Sequence, residues 1–229
     1  MGHISTLGEI QLVPVDRLKR SARENLSTQV ERQIRMSLLD GRFGPGDRIS
    51  LSSLAATLGT SVTPVREALS RLAAEHAFEL IPGQIARVPL FDPVRYRELC
   101  DIRVAVEGLA AERAALNATK RDLAKLERCL TTFLAASKAN ELRKTMSVGR
   151  DFRFGVYAAS KMPALVRVIE GLWLQCAPSF RLFYAFSSRD ETLEVNYQRL
   201  YDALAAKNPK DARECVERIV TSGAARLMA

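Results

Sequence analysis

Apolar side chains at Val30, Ile34 and Leu38 recur one helical turn apart, which predicts a helix from about Ser27 to Asp40, stopped by Gly41. The stretch GRFGPGDRIS that follows is dense in Gly and Pro and reads as a tight connector. LSSLAATL predicts a short second helix with Ser50 as its N-cap and Gly59 ending it. A third helix starts within TSVTPVREALSRLAAEHA. Ser61 or Thr63 can cap it, Pro64 is tolerated in its first turn, and Val65, Ala68, Leu69, Leu72 and Ala73 form its apolar face.

Two short helices joined around a glycine, the second led by polar side chains, make the helix-turn-helix layout. Behind them FELI and IARVPL flank Pro82-Gly83-Gln84, a small β-hairpin that would be the wing of a winged helix. Asp92 as N-cap and Pro93 at the first helical position then open a long new helix. From there only helical periodicity is found, over about 93–118, 120–139, 141–160, 163–186, 190–206 and 209–228. The expected architecture is therefore mainly α: an arm at 1–25, a winged helix-turn-helix at 26–90, and an all-helical bundle at 91–229.

Composition narrows the possibilities. A chain of 229 residues that is 47% apolar can bury one large core or two smaller ones. No apolar run approaches the roughly 18 residues that span a bilayer, so no membrane partner is expected. The start MGHISTLGEIQLVPVDRLKR lacks the apolar stretch of a secretory leader, and the expected location is cytoplasmic. Cys100, Cys129, Cys176 and Cys215 lie far apart without a CxxC pair, as reduced structural thiols would. The net charge of +8 suits a polyanionic partner, yet residues 1–90 hold 11 Lys+Arg against 9 Asp+Glu, only +2. Double-stranded DNA as a partner must be argued from geometry, not from bulk charge.

DGRFGPGDRISLSSLAATLGTSVTPVREALSRLAAE resembles the GntR family of bacterial transcription regulators. The resemblance is carried by Gly41, Pro45-Gly46, Leu54-Ala55, Leu58-Gly59 and above all Thr63-Pro64-Val65-Arg66-Glu67-Ala68-Leu69. The chain from YRELCDIRVAVEGLAAERAAL through RDFRFGVYAASKMP to YQRLYDALAAKNPKDARECVERI resembles the FadR-type (FCD) effector domain of that family. The likeness covers about residues 26–229. It implies a homodimeric regulator, by default a repressor of a metabolic operon, whose C-terminal domain binds a small-molecule effector.

For DNA, the candidates are Ser61, Thr63, Arg66 and Ser70 on the polar face of the third helix, with Gln84 and Arg87 from the wing. Arg66 could read guanine O6 and N7, or it could pair with Glu67. Where the family usually has Ser-Arg-Thr-Pro, this chain has Val62, which removes one arginine contact.

For the effector, the resemblance implies a divalent metal held by one Asp and three His. Its motif falls on Asp151, Gly155, Tyr197 and Ile219, and the chain's only histidines are His3 and His76. No cofactor and no metal are therefore expected. Arg103 shares a face with Leu99, Val106 and Ala110, and it could clamp a carboxylate or simply pair with Glu107. Asp151 is expected to face inward, binding a hydroxyl or amine or neutralising Arg103. Tyr197 could reach the cavity or be plain core. Trp173, Gln175 and Arg181 are weaker candidates, and Gly155 would make room for ligand or for close helix approach. No G-x-S-x-G, Walker loop, dinucleotide fingerprint or HExxH occurs, which argues against an enzyme. A degenerate regulator that no longer senses any ligand is the other reading of the missing histidines and of Val62.

Overall fold

Asn25 opens the first helix by accepting a hydrogen bond from the Ser27 amide at 3.3 Å, and α1 runs Leu26–Leu39 with Val30, Ile34 and Leu38 on its buried side. The computed structural model describes residues 25–186 and 191–227, and not the side chains of 181–186, Glu191 and Arg226. The expected arm at 1–25 thus falls almost wholly outside the described residues, as does the Arg181 side chain.

After α1 come β1 (Arg48–Ser50), α2 (Leu51–Thr57), α3 (Val62–Ala74), β2 (Glu79–Ile81) and β3 (Ile85–Arg87). Ser50 Oγ caps α2 by accepting from the Ser53 amide at 3.4 Å, and Gly59, at φ +63°, turns the chain towards α3. The wing has three strands rather than the two of a hairpin. They lie in the order β1-β3-β2, all antiparallel, with Ala86 opposite Ile49 on one side and Leu80 on the other. The extra strand comes from the Gly/Pro-dense connector. Gly46, at φ +84°, donates its amide to the Val88 carbonyl at 3.0 Å, and Val88 returns one to Asp47 at 2.9 Å. Val65, Ala68, Leu69 and Leu72 of α3 share one core with Val30, Ile34 and Leu38 of α1.

Asp92 Oδ1 accepts from the amides of Val94 (2.9 Å) and Arg95 (3.3 Å), opening α4 (Pro93–Asn117). The bundle continues with α5 (Lys120–Lys138), α6 (Leu142–Ala159), α7 (Pro163–Phe186), α8 (Glu191–Ala205) and α9 (Pro209–Leu227). α5 starts with a capping box between Thr119 and Asp122. Within the bundle α4 packs on α9 and α5 on α6.

The winged unit is not simply tethered to the bundle. Helix α7 packs against α1, and its Leu174, fully buried, belongs to the core of the winged unit. All four cysteines are unbridged. Among the described residues no helix is long and apolar enough to cross a membrane.

Candidate functional site

The buried stripe of α3 fixes which side the helix turns outward. Thr63, Arg66 and Ser70, three and four residues apart, form an exposed row opposite Val65, Leu69 and Leu72. Arg66 has no ion-pair partner among the described residues, and Glu67 faces Arg71 instead, at 3.9 Å. Arg71 also binds Glu31 and Ser27 of α1, each at 3.0 Å, while Arg35 of α1 grips Glu75 at 2.6 and 2.9 Å. These bridges hold α3 rigidly on α1 and leave its polar row clear. Ser61 occupies the N-cap position, but its hydroxyl does not cap, so neither serine nor side-chain bonding closes that helix end. Gln84 is exposed at the tip of the wing with φ +59°. Arg87, by contrast, is held by Glu79 on the neighbouring strand through Nε (2.8 Å) and Nη2 (2.5 Å).

A cavity opens in the bundle, with an empty volume of about 550 Å³ counting space open to solvent. Its wall combines three arginines, Arg103 of α4 and Arg150 and Arg153 of α6, with apolar and aromatic side chains that include Trp173 and Tyr197. Leu39, the last residue of α1, also reaches it. Tyr197 is buried and stacks on Phe133, ring centroids 4.3 Å apart, so it is at once core and cavity wall.

Glu107, fully buried one turn beyond Arg103, organises the charged end. Its Oε1 accepts from Arg103 Nε at 2.6 Å and from Trp173 Nε1 at 2.9 Å. Its Oε2 accepts from Arg153 and from the Tyr157 hydroxyl, and that hydroxyl in turn accepts from Arg153 Nε at 2.8 Å. Four donors fill the carboxylate's acceptor sites. Burial pushes the Glu107 carboxyl up, but Arg103 and Arg153 outweigh it and hold it below the usual carboxylate range. Burial likewise pushes the nearby Cys176 thiol up to about 12, so it is an uncharged packing group. Arg103 further lies 5.4 Å from the Trp173 ring centroid and 5.1 Å from that of Phe180. Arg103 thus makes the structural pair with Glu107 and, in addition, lines the cavity.

Asp151 does not face inward. It is exposed, with 53% of its side chain accessible, and binds Arg150 (3.1 and 2.8 Å) rather than Arg103. Gly155 does not line the cavity either; a Cβ there would lie 2.8 Å from Leu126 Cδ2, so the glycine serves the close approach of α5 and α6. The inward face of α6 is instead Met146, Arg150 and Arg153. Gln175 points away from the cavity and accepts from Arg95 at 2.9 Å. Arg150 and Arg153 were missed, although their spacing with Met146 and Tyr157 at three to four residues was visible in the chain.

The residues present do not fit the metal of the FCD type. Tyr197 and Ile219 stand where imidazoles would be needed, and three buried guanidiniums, Arg103, Arg150 and Arg153, repel a divalent ion. Among the described residues no group of three or more His, Cys, Asp and Glu could hold a metal.

A winged helix with a clear polar row, joined to a helical bundle with a charged cavity, defines a bacterial transcription regulator. The chain belongs to the GntR family, with an FCD domain: residues 26–88 match the model of "Bacterial regulatory proteins, gntR family" and residues 98–222 match the FCD domain. It is 35% identical over 205 residues to the HTH-type transcriptional regulator McbR of Escherichia coli K12, covering 89% of this chain and 93% of that one. The solved structure of E. coli McbR/YncC superposes with a TM-score of 0.84 at 34% identity, over 90% of this chain and 98% of that one. A Paenarthrobacter nicotinovorans protein described as "Probable D-xylose utilization operon transcriptional repressor" is 27% identical over 89% of each chain. Members of this family are transcription regulators and not enzymes, in keeping with the missing catalytic motifs.

Proposed function

We propose that this protein is a cytoplasmic, homodimeric repressor of a metabolic operon, released from double-stranded DNA by a small anionic effector. Residues 26–90 would be the DNA-binding unit and residues 91–229 the sensing and dimerisation unit. The observation that carries the reading is the row Thr63-Arg66-Ser70, exposed and unencumbered on a helix clamped from behind by α1. Such a row entering the major groove lets Arg66 pair with guanine O6 and N7, while the amide-rich start of α3 near Ser61 meets a phosphate. Gln84 extends the contact along the backbone, and Arg87 joins once it leaves Glu79. Two heads on a dimer match half-sites about one helical turn apart. Effector in the cavity, held by Arg103 with Tyr197 at its side, shifts the population towards a placement of the heads that no longer fits.

The test is to select bound genomic fragments with the purified protein and measure affinity for the best one. Arg66→Ala is expected to weaken binding by about 5- to 150-fold, the equivalent of roughly 1–3 kcal/mol. No preference for any genomic fragment at low salt, together with an indifferent Arg66→Ala, overturns the reading.

A further inference from the structure

Arg150 belongs to two neighbourhoods at once. It lines the cavity, and its guanidinium is shared between Asp151 and Asp40, the residue that ends α1. Asp40 lies 110 positions away in the chain and is part of the DNA-binding unit. Arg103 and Arg153 are committed to the fully buried Glu107, whereas the two acids on Arg150 are partly open to solvent, 30% and 53% accessible. Arg150 itself is only 10% accessible, so its charge needs a partner, and an anion in the cavity can stand in for either acid.

Resting on the reading of residues 91–229 as a sensor, we propose that the cavity takes an organic carboxylate with an apolar body, and that its carboxylate draws Arg150 away from Asp40. The chemistry of the wall chooses the ligand. Among the described lining residues the charged groups are all guanidiniums, and most of the rest is aromatic or aliphatic, as at Met146, Trp173, Leu193 and Ile219, with the two phenols Tyr96 and Tyr197 as the uncharged polar side chains. Arg103 and Arg153 against Glu107 leave one net positive charge behind that wall. An anionic head meets fork-shaped donors there, and a hydrocarbon or aryl tail meets apolar surface. A polyhydroxylated acid would find only the Tyr96 and Tyr197 phenols as uncharged partners and would leave most of its hydroxyls facing apolar surface.

The consequence for DNA follows from connectivity. Asp40 sits at the end of the helix to which α3 is bolted through Glu31–Arg71 and Arg35–Glu75. While Arg150 holds Asp40, α1 and α3 are fixed to α6. When a carboxylate takes Arg150, that tie is lost. Ligand and Asp40 compete for one guanidinium, so each must weaken the other's hold.

Trp173 is the chain's only tryptophan and forms part of the cavity wall, so intrinsic fluorescence of the full-length protein reads occupancy. The probes are octanoate and phenylacetate, each against its primary amide, with glucuronate as the polyhydroxylated acid. Saturable titration by octanoate or phenylacetate is expected, with the amides and glucuronate at least tenfold weaker. Asp40→Asn should tighten the carboxylate at least threefold, because the competitor is gone. Arg150→Gln should weaken it tenfold or more; if that variant melts early, Arg150→Lys, which keeps the charge but loses the fork, takes its place with the same direction. A merely structural bridge would not move affinity in opposite directions at its two ends. No saturation by either carboxylate, amides or glucuronate binding as well, or an Asp40→Asn that fails to tighten overturns the proposal. The same preparations are run against the selected DNA fragment. Carboxylate binding without DNA preference rejects the regulator reading and leaves the site; DNA binding without carboxylate titration does the reverse.

Discussion

Leu126 of α5 stands so close to Gly155 of α6 that a Cβ added to the glycine would meet Leu126 Cδ2 at 2.8 Å. Gly155 is half-buried at the contact of the two helices, and Leu126 is only 2% exposed, so the leucine has little room to retreat. Overpacking of this kind costs about 1–3 kcal/mol, while alanine gains up to about 1 kcal/mol over glycine in a helix. Gly155→Ala should therefore lower stability by about 1 kcal/mol, and the melting temperature by about 2–4 °C for a chain of this size. A thermal melt checks it, and a variant that melts higher would show that Leu126 has space the packing does not reveal.

The Glu107 carboxylate is the sole acid bonded to both Arg103 and Arg153 among the described residues. Glu107→Gln keeps the shape but strands two buried guanidiniums, a change expected to cost about 3–5 kcal/mol. The same group sets a pH dependence. Its folded pKa lies below the ordinary carboxylate value, so its contribution is fully present above that value and is lost as pH falls through the folded one. Melts taken from neutral pH downwards should fall steeply below the carboxylate range in the parent protein, and less steeply in Glu107→Gln.

Glu79 keeps Arg87 occupied on the wing, and the pair is only half covered. Glu79→Gln is expected to free the guanidinium for a phosphate, at a stability change within about 1 kcal/mol. The slope of log affinity against log salt for a bound genomic fragment should then steepen by about 1. An unchanged slope would mean that Arg87 does not reach the duplex.

Purified, unchelated protein should contain no stoichiometric zinc, nickel or manganese by elemental analysis. The ground is the donor set: a glycine, a tyrosine and an isoleucine where imidazoles are required, with arginines lining the cavity beside them. Stoichiometric metal that survives gel filtration would overturn this.

Helix ends were the most legible part of the chain, because their chemistry is local. Asp92-Pro93 and Asn208-Pro209 announce α4 and α9, and both caps bond as their side chains dictate. The strand β1 was not legible, since three residues carry no period and Arg48–Ser50 extend only because β3 lies alongside. The face of α6 was misjudged for a different reason. The motif implied by the resemblance puts Asp151 and Gly155 one turn apart on one face, and nothing local tells that this face turns away from the cavity. Phe152 is fully buried and Phe154 only partly, so the inward side carries Arg150 and Arg153 while Asp151 and Gly155 turn elsewhere. Nor could any local pattern bring Asp40 to Arg150, which are joined only by the docking of one unit on the other.

That docking has a mechanical corollary at Leu174. Its side chain plugs a socket among the apolar residues of the winged unit while its helix also walls the bundle cavity with Trp173, the adjacent residue. Severing the chain after residue 90 would pull that plug and leave a greasy hole, so the head is not a pendulum on a string. It is seated on the same helix that walls the cavity.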